Sequence, residues 1–214
     1  MADILLDEQG FPANPASGKM ALYADSSASN FVQKTDAGRV EGDASRASVA
    51  ALTLNAANTY VTSSGLLIPS HGIQAGTVWE WKMSASKTAA GVAAPIYTLV
   101  IGANQSTADT VRLTLTGPAQ TAIADIGILT ILVIARAGGA GTVLAGSAHW
   151  LHRGTAANTT TSGTGFANDS SGAVEATAAS FDSSTMTGQY VGLAINPGTL
   201  GVWTMTQCFG RVYY

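Results

Sequence analysis

"TVWEWKM", residues 77–83, sets Trp79, Trp81 and Met83 on one side of the chain and Glu80 and Lys82 on the other. Successive strand side chains point to opposite faces, so this two-residue period predicts a strand with one face in a core and the other in water. "DTVRLTLT", residues 109–116, repeats the device: Val111, Leu113 and Leu115 alternate with Arg112, Thr114 and Thr116. Further on, "IGILTILVIA" spans residues 126–135 as an apolar run bounded by Asp125 and Arg136. It is about half the length of a membrane-spanning helix and fits a buried strand.

Working outward, strands are predicted at "LTLNA" near Leu52, "NTYVT" near Tyr60, "GLLIP" near Leu67 and "PIYTLVIG" from Pro95. "TVLAGSAHWL", "QYVGLAI", "GVWTMTQ" and "CFGRVYY" complete the set. Gly, Asn, Pro and Ser clusters separate them. In "INPGTLG", Asn196, Pro197 and Gly198 supply a preset φ and a residue tolerant of positive φ, which specifies a turn. "ARAGGAG" has a G-x-G at Gly139 and Gly141, but Gly146 is misplaced for a dinucleotide loop and no helix follows, so a hairpin turn is expected. The best helix candidate is the Ala-rich stretch Ala44 to Ala57, weakened by its Ser and Thr content. Eight to ten strands with nonlocal spacing predict an all-β chain, an antiparallel β-sandwich of jelly-roll type.

The first 47 residues read differently, as an extended N-terminal arm before a domain at 48–214. Pro12 and Pro15 fix φ and remove backbone donors close to Gly10 and Gly18, so no regular element is indicated there. Yet Leu5, Leu6, Phe11, Met20, Leu22, Tyr23 and Phe31 are too many apolar side chains for a solvated linker. With Pro12 and Pro15 they are the candidate partner-binding residues, laid against another subunit. "TDAGRVEGDASRAS", residues 35–48, gathers charge and turn formers and marks the boundary. Residues 153–180 form a long Thr/Ser/Gly-rich stretch expected to be an exposed loop, anchored in part by Phe166 and Val174.

Composition narrows the function. Of 214 residues only 11% are charged, against about 25% in ordinary soluble domains, and small Ala, Gly, Ser and Thr fill about half the chain. So little charge fits an exterior covered by neighbours in an assembly. Ten Lys and Arg spread without a cluster, at net charge −3, argue against nucleic-acid binding. "MADILLDE" is acidic and has no continuous apolar core, so no secretory signal is expected. Cys208 is the single cysteine, which excludes an intrachain disulfide and a Cys-rich zinc site.

Catalytic constellations are absent from the pattern. His149 and His152 in "HWLH" share a face on a helix but point apart on the expected strand. Ser70 and His71 in "PSHG" lack a nucleophile elbow. Glu80, Asp109, Asp125, Glu175 and Asp182 show no pair alternating on one strand face as a glycanase cleft would. Trp79 and Trp81 could stack on sugars, but their alternation with Glu80 and Lys82 places them in a core. No enzyme activity, cofactor or metal is expected.

"NPASGKMALYADSSASNFVQKTDAGRVEG", residues 14–42, resembles a segment near the N-terminus of many tailed-phage virion proteins. There a Pro-x-x-Gly turn leads to a Leu-Tyr strand and then to a Lys-x-Asp-x-Gly turn; the matching positions are Pro15, Gly18, Leu22, Tyr23, Lys34, Asp36 and Gly38. "YTLVIGANQSTADT" and "GQYVGLAINPG" look like the jelly-roll domains of phage capsid decoration, head-fibre and tail-tip proteins. The resemblance implies a homotrimeric structural protein of the virion without catalytic residues. It points first to a capsid decoration or cement protein, on the capsid exterior, whose arm docks on the major capsid protein. The alternative it implies is a tail-fibre, baseplate or receptor-binding component that meets other virion subunits and a host-surface glycan.

Overall fold

A computed structural model describes residues 8–9, 16–17, 19–25, 30–35, 40–48, 51–55, 57–69, 71–154 and 174–214. The leader contributes β1 (Glu8–Gln9), β2 (Met20–Asp25), β3 (Asn30–Thr35) and β4 (Val40–Ser48). Short strands β5 (Leu52–Leu54), β6 (Thr59–Tyr60) and β7 (Leu66–Leu67) precede the long β8 (Val78–Lys87). Then come β9 (Ile96–Gly102), β10 (Thr110–Thr116), β11 (Asp125–Ala137), β12 (Val143–Gly154), β13 (Val174–Thr177), β14 (Tyr190–Asn196) and β15 (Trp203–Tyr213). Among the described residues the only helical element is a single 3-10 turn at Gly139–Gly141.

The strands form an antiparallel β-sandwich, as the alternation predicts. The large sheet runs β1-β2-β3-β4-β15-β8-β11-β12-β13, with β5 also on β15; the small sheet runs β10-β9-β14-β6, with β7 also on β14. The chain changes sheet between β5 and β6, β7 and β8, β8 and β9, β10 and β11, β13 and β14, and β14 and β15. Each sheet therefore draws its strands from the whole length of the domain, and neither can form from a local stretch.

Inward positions fill the core. Trp79, Trp81 and Met83 of β8 pack with Leu129, Ile131 and Val133 of β11 and with Trp203, Met205 and Val212 of β15. Facing them are Tyr97, Leu99 and Ile101 of β9, Leu113 and Leu115 of β10, and Val191, Leu193 and Ile195 of β14. A buried indole must place its N–H on an acceptor, because an unpartnered donor in an apolar core costs about 1–3 kcal/mol. Three indoles of the large sheet do so on groups outside it. Trp81 Nε1 donates to the Ser64 carbonyl at 2.8 Å, and the Ser64 hydroxyl accepts from the Leu193 N–H at 2.9 Å. Trp150 Nε1 donates to the Tyr97 hydroxyl at 2.8 Å. Trp203 Nε1 donates to Gln120 Oε1 at 3.1 Å, while Gln120 Nε2 holds the carbonyls of Ala93 (2.9 Å) and Pro197 (2.6 Å). On the outer side of the small sheet Tyr60 lies over Gly192, where any Cβ would collide with the phenol.

Several local expectations are met. "ARAGGAG" is the β11–β12 hairpin turn, with Gly139 at φ +68°. Gly198 takes φ +88°, and its N–H is held by Asn196 Oδ1 at 2.9 Å. Val174 opens β13, which pairs with β12 across Ala145–Ala148; Phe166 lies outside the described residues.

Others are corrected. The helix candidate Ala44 to Ala57 is strand at both ends: Asp43–Ser48 pairs with β15 and Leu52–Leu54 pairs with the same strand's start. An open hydrogen-bonding edge on β15 outweighs the weak helical preference of Ala mixed with Ser. The turn-rich 35–48 stretch likewise contains a nine-residue strand, β4, whose Val40–Gly42 end pairs with β3. The boundary at 47/48 thus falls at the end of a strand shared by leader and sandwich. "GVWTMTQ" and "CFGRVYY" are one strand, β15, with a register shift between Met205 and Gln207 against β8. That extra residue flips the alternation and splits the pattern in two.

Two stability predictions follow from the indole bonds. Gln120→Ala strips partners from Trp203 Nε1 and two carbonyls, an expected loss of about 2–4 kcal/mol and about 5–10 °C in Tm. An unchanged melting curve contradicts this. Burial pushes the Tyr97 phenol far above its ordinary value, against the smaller opposing effect of the Trp150 hydrogen bond. The folded chain keeps that proton while the unfolded chain loses it near pH 10, so the associated stability is complete below about pH 10 and falls as pH rises beyond it. Tyr97→Phe should flatten the decline of Tm between pH 10 and 11; an unchanged slope rules out this source.

Candidate functional site

Among the described residues no three His, Cys, Asp or Glu side chains come together as a metal site would require. The acids serve the fold. The buried Asp109 carboxylate accepts from the Asn104 N–H and side-chain amide, each at 3.1 Å, and from the Ser106 N–H at 3.2 Å, closing the β9–β10 loop. Asp182 accepts from the Ser184 N–H at 2.8 Å, and its hydrogen bonds with Ser184 hold its pKa down. Glu80 pairs with Lys82 at 2.9 Å on the outer face of β8, and that hydrogen bond raises the Lys82 pKa.

Lys87 is the one buried cation among the described residues. It stands opposite Asp125 in register, and its ammonium donates to the carbonyls of Thr121 (2.6 Å), Gly91 (3.3 Å) and Ile123 (3.3 Å). Burial lowers its pKa, and the Asp125 charge works the other way. The ammonium thus reaches three backbone carbonyls, and so ties two loops to the end of the sheet. His149 is exposed on β12, and His152 lies three residues along the same strand. His71 packs edge-on against Tyr214 with centroids 4.6 Å apart; Ser70 lies outside the described residues.

Of the predicted partner-binding residues, Leu5, Leu6, Phe11, Pro12 and Pro15 lie outside the described residues. Met20, Leu22 and Tyr23 lie in β2 and Phe31 in β3, brought together as a hairpin: Tyr23 faces Val32 in register, Leu22 faces Gln33 and Ala24 faces Phe31. The leader is thus a set of strands added to the large sheet through β4. All four tryptophans belong to the core, with exposures of 2%, 0%, 7% and 0% for Trp79, Trp81, Trp150 and Trp203. None offers a ring face to a sugar.

A second surface escaped the sequence reading. On the outer side of β11, Ile126, Ile128, Leu132 and Ile134 stand in solvent as a ridge, and Leu151 of β12 lies opposite Ile128. Beside the ridge, an open trough of about 450 Å³ is walled by Leu132 and Ile134 and floored by Ala145, Gly146 and Ser147, with Ala176 and Thr177 on its far side. The signal was present in "IGILTILVIA", which is apolar in both phases of the alternation instead of one. The chain matches no protein-family model and no curated protein sequence.

The placement of the indoles makes a direct prediction. Iodide should quench the tryptophan emission of the native chain several-fold less than that of the urea-unfolded chain. Equal quenching in the two states would put an indole on the surface and reopen the sugar-platform reading.

Proposed function

We propose that the chain is a structural protein of a tailed-phage virion: a capsid decoration protein whose N-terminal arm docks on the major capsid lattice while the sandwich clads the exterior. The observation that carries the reading is the hairpin β2–β3. Among the described residues its main strand contacts are with β1 and β4, in the plane of the large sheet. A sheet with apolar side chains needs a second layer, so this extension calls for one from another subunit. The same residues carry the likeness to phage virion proteins. Docking buries side chains at about 2 kcal/mol each, and repetition over many copies adds avidity.

The wiring of the sandwich supports the jelly-roll part of the proposal. Strands β5–β15–β8–β11 of one sheet face β6/β7–β14–β9–β10 of the other, an eight-strand interleaving in which successive pairs alternate between sheets. β12, β13 and the leader strands are additions at the two ends of the large sheet. The described residues present structural hydrogen bonds in place of reactive groups, which suits cladding, and a homotrimer is the assembly the likeness favours.

The test uses heads of a phage whose genome carries this coding sequence, prepared without this protein. The full chain should bind them to saturation, and a chain lacking residues 1–40 should bind at least about ten-fold more weakly, the equivalent of one well-packed contact. Full occupancy by the shortened chain, or gold-labelled antibody found on tails and not on heads, would refute the assignment.

A further inference from the structure

β11 is apolar on both faces, the pattern of a strand covered from both sides. Its inward side chains are covered by the small sheet, whereas Ile126, Ile128, Leu132 and Ile134 remain 40–54% exposed outward and Leu151 beside them 69%. Five such side chains make a patch on the order of several hundred Å², the size of the largest apolar patch on a typical monomer and a large share of the ~800 Å² that each partner gives to a standard interface. The outward positions of the adjacent β8 follow the opposite rule, with Glu80 and Lys82 paired to each other in register with Leu132 and Thr130.

The ridge has a matching hollow at its side. Ser147 lies opposite Leu132 and Ala145 opposite Ile134, with Glu175 and Thr177 next in register on β13, so the small Ser147 and Ala145 flank tall side chains at one strand spacing, about 4.8 Å. A twofold axis parallel to the strands and between β11 and β12 would set Leu132 and Ile134 of one copy over Ser147 and Ala145 of another, with Ile128 against Leu151, and the reverse. That is the self-complementarity of an isologous contact. The ridge itself carries no charge that would select a partner of opposite sign. We propose that this face binds a second copy of the chain, with Leu132 of each subunit seated over Ser147 of the other.

The contact joins copies in pairs and is separate from arm docking, so it deepens the proposed shell role while being able to fail without it. Native mass measurement of the full chain at tens of micromolar tests it. The wild type should have twice the mass of an Ile128→Lys/Leu132→Lys variant that keeps the same far-UV circular dichroism. Ser147→Arg, which fills the trough and leaves the ridge intact, should halve the mass in the same way and covers the case in which the double variant fails to fold. Leu132→Cys chains mixed with Ser147→Cys chains should form a disulfide-linked pair absent from either chain alone. Equal masses for wild type and a folded variant, or no linked pair in the mixture, overturn the proposal. So does a wild type whose ridge is covered by residues 155–173 of its own chain and which stays unpaired.

Discussion

An indole N–H inside a dry core must find an acceptor, and this chain has three that find it across the sandwich. Trp81 reaches the Ser64 carbonyl at the β6–β7 connection, Trp150 reaches the Tyr97 hydroxyl of β9, and Trp203 reaches Gln120 on the loop before β11. Apolar burial is non-directional and tolerates sliding of one sheet over the other. These bonds do not. They fix the two sheets in one alignment, and Gln120 extends that constraint to the loops at Ala93 and Pro197. The edge-to-face contact of Trp150 and Trp203, with centroids 5.3 Å apart, couples two of the three anchors.

A core completed in this way leaves the large sheet with more strands than the small sheet can cover. At one end the leader strands β1–β3 continue the large sheet beyond β4, while at the other β12 and β13 pack against β10; between them β11 turns a row of aliphatic side chains outward. Both features are costly for an isolated chain and cheap for one that is always among neighbours, which agrees with a surface poor in charge. Buried polar groups of the core are bonded within the fold: Asp109 on its loop, Lys87 on three carbonyls, and Thr142 against Ser183 at 2.6 Å.

Much of the sandwich was legible because its strands are half-buried and their sequences alternate. β8 and β10 could be read from single segments, and the turn at Asn196–Gly198 from its chemistry. What was hidden was hidden for particular reasons. β15 reads as two strands in the sequence because the bulge after Met205 breaks the alternation. β4 was read as a boundary because its Gly, Asp and Ser content argues for a turn, and pairing with β15, a property of the whole fold, overrides that local preference. The ridge on β11 is hidden within a run apolar in both phases, which does not say which of its faces lies in the core. The candidate residues of the leader stand out by composition, yet only their pairing in β2 and β3 shows that they present a sheet and not a loose tether.

The central claim is that the sandwich closes on itself while the leader strands are completed by another subunit. Amide hydrogen exchange, followed on the purified chain and again on assembled particles, tests it most directly. The account predicts that β8, β11 and β15 are strongly protected in both states, whereas β2 and β3 exchange rapidly in the purified chain and become protected on assembly. Protection of β2 and β3 in the purified, unassembled chain to the level of β8 would contradict it.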